Sequence, residues 1–306
     1  MTAAGGKPWE RFLPPELPAG RVAACLGLVS DTHLPERCRA LPPALFDAFR
    51  GVDLLLHAGD VGALSVLDRL GAIAPMVAVH GNDDTAEARR ELPYQQIVKA
   101  AGRRLLLTHA HYPDRAEELA SRRDDAWEPK LACRAAMGRR AGAPLVVFGH
   151  THVPMAFRYA DDVSLINPGA LAAPNAVSRQ SVRSVALLFV PDDAGAGAFV
   201  AHVRVDGDEP RPFVPRVRWE DGFRAAHDAV TASILAPDLA ARWESVRARG
   251  RELAPDAWRA AWMRAAHRCW DGERETVTTD ALRAELRAEP GLPVSDRTRL
   301  EAALLA

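Results

Sequence analysis

Eight short apolar runs between residues 22 and 205 constrain the fold more than any other feature of the sequence. They are rich in Val, Leu and Ile, and polar residues stand at their ends. Runs of this kind, each about 4 to 8 residues long, are typical of buried strands. Helical patterns lie between several of them, such as PPALFDAF after the first and ALSVLDRLGA after the second. This alternation predicts an α/β layered domain.

Changes in composition along the chain predict its domain organisation. Residues 1–20 contain four prolines, which resist helix and strand pairing, so we expect an extended leader packed on the surface. The α/β pattern then occupies residues 21–210. After a proline-rich passage, residues 211–306 are rich in Ala, Arg, Glu and Trp and contain five helix-length segments. This pattern predicts a separate C-terminal all-α extension.

Three tryptophans of this extension recur on one helical face. Trp258, Trp262 and Trp270 are separated by multiples of four residues, which predicts a stripe that packs into a core. Residues 212–306 contain 15 basic and 15 acidic side chains, so a nucleic-acid-binding patch is disfavoured. We leave open whether the extension caps a site, shapes a substrate pocket or mediates assembly into a homo-oligomer.

Charge and cysteine content exclude several classes of protein. The net charge of -1, from 39 basic and 40 acidic residues, gives no field that would gather nucleic acid or an anionic membrane surface. The four cysteines show no regular spacing, so we expect free thiols in a reducing compartment. No signal peptide and no apolar stretch of about 18 residues is present. We therefore expect a cytoplasmic protein that does not enter a membrane.

Metal-ligating residue types stand where five of the predicted strands end. They are Asp31, His33, Asp60, Asn82, His109, His150 and His152. Carboxylate, amide and imidazole ligands in one set suit Mn, Fe, Co, Ni or Zn better than Ca, and the set contains no thiolate. Alternate residues of a strand share a face, so the Asp-x-His and His-x-His pairs can each reach one site. Glycines at 59, 81 and 149 precede ligands and permit positive φ or close approach.

The order of these motifs carries a resemblance to a known family. SDTHLP, HAGDV, HGNDD, THAH and FGHTHVP resemble the calcineurin-like metallophosphoesterase superfamily. The short GNDD and the later INPGA are similar to its small bacterial and archaeal phosphodiesterase branch, which also includes the retromer subunit of the same fold. The resemblance covers residues 22–205.

The resemblance implies a four-layer α-β-β-α sandwich of two mixed sheets with a two-metal centre at one edge. One ion would be held by Asp31, His33 and His152, the other by Asn82, His109 and His150, and Asp60 would bridge both. Manganese is the first expectation, with Fe, Ni, Co or Zn as alternatives. A metal-bridging hydroxide would attack a small phosphodiester or a nucleotide in line.

Other residues near these motifs have roles that the resemblance leaves less defined. Larger members of the family carry a His after the metal-binding Asn, where this chain has Asp83, so a general acid is poorly supported and good leaving groups should be favoured. Asp84 is expected to support a ligand. His111 is a candidate for contact with the substrate phosphate, with a scaffold role as the alternative. We expect Asn167 to form a turn that supports the site.

Three alternatives to a phosphodiesterase are weighed. A phosphoprotein phosphatase is disfavoured because the chain has GDVGALS and GNDD where that class has Gly-Asp-x-x-Asp-Arg-Gly and Gly-Asn-His-Glu. A phosphomonoesterase is kept with it as a further alternative. An exonuclease is disfavoured because no basic field would hold a duplex. The third alternative is a protein-interaction scaffold with little or no catalysis, which would gain weight if the tryptophan stripe were exposed.

Overall fold

The computed structural model describes residues 6–193 and 195–305. These residues form two compact units. Unit 1 extends to Ala172 and includes Val182–Val230, and unit 2 consists of Ala173–Ser181 together with the chain from Thr231 onward. The division therefore differs from the predicted boundary between residues 210 and 211. The reason is that a strand and a helix between residues 211 and 230 pack within unit 1.

Unit 1 is built on two mixed sheets. The strands of the chain are β1 Val22–Val29, β2 Leu54–Ala58, β3 Met76–Val79, β4 Gln95–Ala100, β5 Arg103–Thr108, β6 Leu145–Phe148, β7 Met155–Tyr159, β8 Val163–Asn167, β9 Ser178–Gln180, β10 Ser184–Pro191, β11 Phe199–Arg204, β12 Arg211–Phe213 and β13 Thr231–Ser233. The first sheet has the order β12-β11-β10-β1-β2-β3, and the second has the order β4-β5-β6-β8-β7. Strands β1, β2 and β3 are parallel, as are β5, β6 and β8.

The two sheets face each other, and helices cover their outer faces. Successive side chains of a strand point to opposite faces of its sheet, so each strand contributes to both cores. Leu26 and Leu28 of β1 lie in the core between the sheets, whereas Cys25 and Val29 lie in the core beneath the helices. The helices of unit 1 are α1 Pro43–Ala48, α2 Ser65–Gly71, α3 Ala86–Glu91, α4 Arg115–Arg123, α5 Trp127–Ala141 and α6 Gly222–Asp228. This arrangement confirms the predicted four-layer sandwich.

The N-terminal leader is more ordered than its prolines predicted. Residues 1–5 lie outside the described part of the chain, but Pro8–Phe12 and Ala19–Arg21 form short 3-10 helices instead of an extended segment. Trp9 and Phe12 are buried in the core beneath α1, and Trp9 Nε1 donates to the carbonyl of Gly51 at 2.8 Å. Pro8 is the first residue of its helix, where proline is tolerated, so the prolines do not prevent this order, and the buried aromatic side chains anchor the segment.

Unit 2 is mainly helical. Its helices are α7 Pro237–Ala240, α8 Trp243–Leu253, α9 Pro255–Trp270, α10 Thr279–Ala288 and α11 Val294–Leu305. The predicted helical region is confirmed, with one addition: strand β9 pairs antiparallel with β13. Segment 173–181 precedes the last three strands of the six-stranded sheet in sequence, so the composition change after residue 210 gave no sign of it.

The tryptophan stripe of α9 is buried, as predicted. Trp258, Trp262 and Trp270 are each 4% exposed and belong to the core of unit 2. Trp262 Nε1 donates to the carbonyl of Ala176 at 3.0 Å, and Trp270 Nε1 donates to the carbonyl of Ser178 at 2.8 Å. The indoles thus bind segment 173–181 to α9, and they do not form an exposed partner surface.

The four cysteines all lie in the described part of the chain, and none of them forms a disulfide there. Among the described helices, none combines the length and apolar character that a membrane crossing requires.

Buried His202 of β11 predicts that stability depends on pH. Its Nε2 donates to the carbonyl of Asn167 at 2.8 Å, and burial lowers its pKa from 6.5 to about 4. Below pH 6.5 the unfolded chain binds a proton that the folded chain does not accept until about pH 4, so stability falls as the pH drops through this window. We expect this histidine to cost about 2 kcal/mol between pH 7 and pH 5.

The variant His202→Gln keeps an N–H donor but does not titrate. In urea unfolding, it should lose about 2 kcal/mol less free energy of unfolding than the unsubstituted protein over the same pH interval. An equal loss in both proteins would contradict this assignment.

Candidate metal centre

The fold brings the predicted ligand residues to one edge of unit 1. Each follows the carboxyl end of a parallel strand: Asp31 and His33 follow β1, Asp60 follows β2, Asn82 follows β3, His109 follows β5, and His150 and His152 follow β6. Ligand atoms lie within 4.8 Å of one another in three groups, which are Asp31 with His33 and His152, Asp31 with Asp60 and His109, and His33 with Asp60 and Asp83. Functional groups of covered sheets collect at this edge, as expected.

The first cluster consists of Asp31, His33 and His152. Asp31 Oδ1 lies 3.3 Å from His152 Nε2 and 3.9 Å from His33 Nε2, and the two imidazole rings stack with centroids 5.7 Å apart. Asp31 Oδ1 and His33 Nε2 are buried and make no well-directed hydrogen bond. Buried polar atoms are normally satisfied, so these two atoms fit a bound cation.

Asp60 stands between the first cluster and His109. Its Oδ2 lies 3.6 Å from His33 Nε2 and 3.2 Å from His109 Nε2. Its other oxygen, Oδ1, accepts a hydrogen bond from the backbone N of Asp83 at 2.8 Å. One oxygen is thereby fixed by the backbone, and the other faces imidazoles on both sides.

The second cluster consists of Asn82 and His109 beside Asp60. His109 Nδ1 lies 2.8 Å from the carbonyl of Ala58, which can only accept, so Nδ1 carries the hydrogen and Nε2 is the ligand atom. His109 Nε2 lies 3.2 Å from Asn82 Oδ1. Burial lowers the pKa of His109, but the Asp60 carboxylate outweighs burial and raises it to about 9. The carboxylates at this position therefore attract positive charge.

His150 lies in a different setting from the other predicted ligands. It is outside the three closely spaced groups, although its ring centroid is 5.1 Å from that of His109. Its Nε2 lies 3.0 Å from Glu118 Oε1. Glu118 belongs to α4 and to none of the motifs, so no signal in the sequence pointed to it.

Strained backbone marks the centre. Asp31, His33, Asp60, His150 and His152 all have φ between 44° and 70°, in the left-handed region that side chains other than Gly rarely adopt. Such strain clusters at functional sites, where the surrounding structure enforces it. From the sequence, positive φ was considered only at the glycines that precede three of the ligands, and not at the ligand residues themselves.

Two of those glycines are needed for space and not for positive φ. Gly59 has φ 90°, but Gly81 and Gly149 do not adopt positive φ. A Cβ on Gly81 would overlap the Asp60 carboxylate, and a Cβ on Gly149 would lie 2.8 Å from Asp31 Oδ2. Both glycines therefore let the backbone approach the carboxylates closely.

Asp83 is placed as a support for Asn82 and not as a proton donor. It pairs with Arg37 and accepts from Asn82 Nδ2 at 2.7 Å. Burial and the Asp60 charge raise the pKa of Asp83, but the Arg37 guanidinium outweighs them and holds it below its ordinary value. An ionised carboxylate has no proton to give, so the candidate role of Asp83 as general acid is not supported. Its contact instead orients the amide of Asn82.

Asp84 and Asn167 hold the backbone around the ligands. Asp84 accepts from the backbone N of Gly62 at 2.8 Å and of Gly81 at 2.7 Å. Asn167 Nδ2 donates to the carbonyl of Gly149 at 2.9 Å, and its Oδ1 accepts from the backbone N of Gly169 at 2.8 Å. Both residues thus make the supporting contacts expected of them.

His111 lies beside the second cluster. Its ring centroid is 5.5 Å from that of His109 and 5.0 Å from that of Tyr94. Burial, followed by the neighbouring histidines, lowers its pKa to about 3, so the ring is neutral at pH 7. Its contact with a substrate phosphate stays a prediction.

Comparison with known proteins places this geometry in a family. Residues 25–193, more than half of the chain, match the calcineurin-like phosphoesterase superfamily domain. The chain belongs to this superfamily, which puts it among the metallophosphoesterases, a class of hydrolases.

Two archaeal relatives agree with this membership. A probable metallophosphoesterase of Methanothermobacter thermautotrophicus is 35% identical over 150 residues, which are 49% of this chain and 78% of that protein. A second, from Methanocaldococcus jannaschii, is 34% identical over 169 residues, which are 55% of this chain and 76% of that protein. Vacuolar protein sorting 29 from Cryptosporidium parvum is similar in structure at 16% identity, with a TM-score of 0.47 over 64% of this chain and 100% of that chain.

The central position of Asp60 predicts how its amide variant binds metal. In Asp60→Asn the charge between the two clusters is lost while the size of the side chain is kept. We expect isothermal titration with Mn²⁺ to show at least one ion fewer than in the unsubstituted protein, with thermal unfolding retained. Exposed Asp68 of α2 supplies the matched control, since Asp68→Asn removes the same charge from a residue that belongs to none of the clusters. Two tightly bound ions in Asp60→Asn would contradict the placement.

Proposed function

We propose that this chain is a dinuclear metal-dependent phosphodiesterase that acts on a small diester or a nucleotide. The single observation that carries the proposal is the Asp60 carboxylate, whose Oδ2 lies 3.6 Å from His33 Nε2 and 3.2 Å from His109 Nε2. A carboxylate shared between two sets of imidazoles suits two cations at neighbouring positions.

The residues divide into two ligand sets around Asp60. Asp31, His33 and His152 would hold one ion, and Asn82, His109 and His150 would hold the other. When bound, two such ions lower the pKa of water and neutralise charge on phosphoryl oxygens. The mixture of oxygen and imidazole ligands suits Mn, with Fe, Ni, Co or Zn as alternatives.

The charge around the site favours a diester over a monoester. A phosphate monoester dianion carries one more negative charge than a diester and needs more positive donors to bind. Of the arginines beside the ligands, Arg37 is already paired with Asp83, and Arg89 donates to the backbone carbonyl of Asn82. The chain's net charge of -1 likewise gives no field for a long polyanion, which supports a small substrate.

Hydrolysis of model substrates tests this function. After metal removal and addition of Mn²⁺, we expect bis(p-nitrophenyl) phosphate to be cleaved faster than p-nitrophenyl phosphate. Asp60→Asn should lower the diester rate at least 100-fold, a range in keeping with removal of a central electrostatic group. Ni²⁺, Co²⁺, Zn²⁺ and Mg²⁺ in parallel identify the ion that supports the rate. No turnover with any metal, despite two bound ions, would favour the scaffold alternative.

Ionised Asp83 predicts a steep dependence on the leaving group. Because it is paired with Arg37 and carries no proton, aryl diesters with good leaving groups should turn over much faster than alkyl diesters. The measurement is kcat/KM across a series of diesters of graded leaving-group pKa. Equal rates for aryl and alkyl substrates would contradict this prediction, because they would require a proton donor for the leaving group.

A further inference from the structure

Helix α4 buries a carboxylate and exposes a leucine. Of its nine residues, Glu118 is buried, while the neighbouring Leu119 is 38% exposed. Burying a charged group costs free energy unless it is paired and hydrogen-bonded, whereas burying a leucine is favourable. The orientation of α4 is therefore explained by the partners of Glu118 and not by apolar packing.

Three donors surround this carboxylate. His150 Nε2 lies 3.0 Å from Oε1, Arg122 Nε donates to the same oxygen at 2.6 Å, and the backbone N of Tyr112 donates to Oε2 at 3.0 Å. The Arg122 guanidinium and the backbone N–H of Tyr112 can only donate, so both carboxylate oxygens act as acceptors. The close ion pair with Arg122 is the geometry of an ionised carboxylate, which has no hydrogen of its own to donate.

The contact with Glu118 determines where His150 carries its hydrogen. Because the carboxylate has no hydrogen to donate, the hydrogen must be on Nε2 of His150. In the neutral ring, Nδ1 then keeps the lone pair and is the atom that can bind a cation. His109 has the opposite arrangement, since its Nδ1 is bound to the carbonyl of Ala58. Two rings with centroids 5.1 Å apart thus offer different nitrogens to a cation, Nδ1 from His150 and Nε2 from His109.

Resting on the two-cation centre of the proposed function, we propose that Glu118 is a positioning residue that fixes His150 in the Nε2–H tautomer and selects Nδ1 as its metal-binding atom. A carboxylate that accepts from a metal-ligating histidine also raises the basicity of the ring, and removal of such partners typically weakens metal binding about 10- to 100-fold. Glu118 therefore acts through His150 and does not contact the substrate.

Two readouts test this role on the full-length chain. Long-range ¹H–¹⁵N correlation spectra of the metal-free protein report the tautomer of each histidine, and His150→Gln assigns the His150 signals. Titration calorimetry with Mn²⁺ reports the affinity and number of ions. Glu118→Leu removes the hydrogen-bond acceptor. Glu118→Gln keeps the size of the side chain and one acceptor oxygen but removes the charge. The same two substitutions at exposed Glu117, the preceding residue of α4, are the matched controls.

We expect the Nε2–H tautomer at His150 in the unsubstituted protein, and its loss in Glu118→Leu. One of the two ions should bind about 10- to 100-fold more weakly in Glu118→Leu. Glu118→Gln should retain the Nε2–H tautomer, and its affinity for Mn²⁺ should lie between that of the unsubstituted protein and that of Glu118→Leu. Both Glu117 variants should match the unsubstituted protein in tautomer and affinity.

The outcomes separate this inference from the proposed function. If the unsubstituted protein binds no ion, the proposed function fails, and the metal-positioning role of Glu118 fails with it. If it binds two ions and Glu118→Gln and Glu118→Leu bind both with unchanged affinity, the inference alone is overturned. An Nδ1–H tautomer at His150 in the unsubstituted protein would also overturn it. Glu118→Gln keeps the test decisive if Glu118→Leu does not fold.

Discussion

Two buried carboxylates, Asp31 and Asp60, require positive charge, and the architecture of unit 1 supplies it at one sheet edge. Both are almost fully buried, where an uncompensated charge would be very costly. His152 stands beside Asp31, and His109 stands beside Asp60. The raised pKa of His109 shows how strongly the carboxylates favour a cation at this position. A pair of divalent ions would neutralise the two carboxylates more completely than protonated imidazoles do.

Each part of the surroundings keeps those charges close together. Parallel strands of two facing sheets end at the same edge, and glycines at 81 and 149 allow the backbone to approach the carboxylates. The backbone beside the ligand positions is held by contacts from outside the ligand set, such as Asp84 to Gly81 and Asn167 to Gly149. Glu118 extends this principle, because it fixes the ring of a ligand from a helix that the motifs do not include.

The sequence predicted the parts of this centre that depend on local pattern. Apolar runs indicated the strands, and the polar residues at their ends indicated the ligands, because a strand end fixes where the next side chain goes. Glu118 could not be predicted, since its contact with His150 joins residues 32 positions apart in segments with no shared pattern. The pairing of Asp83 with Arg37 and the 3-10 helix at Pro8–Phe12 likewise depend on tertiary contacts. The placement of strand β9 in unit 2 also depends on a tertiary contact, its pairing with β13.

Anomalous scattering from crystals of the full-length chain soaked in Mn²⁺ tests the central claim most directly. We expect two anomalous peaks on either side of the Asp60 carboxylate, one beside Asp31, His33 and His152 and one beside Asn82, His109 and His150. The second peak should lie nearer Nδ1 of His150 than Nε2. A single peak, or two peaks that do not share Asp60, would contradict the two-cation centre.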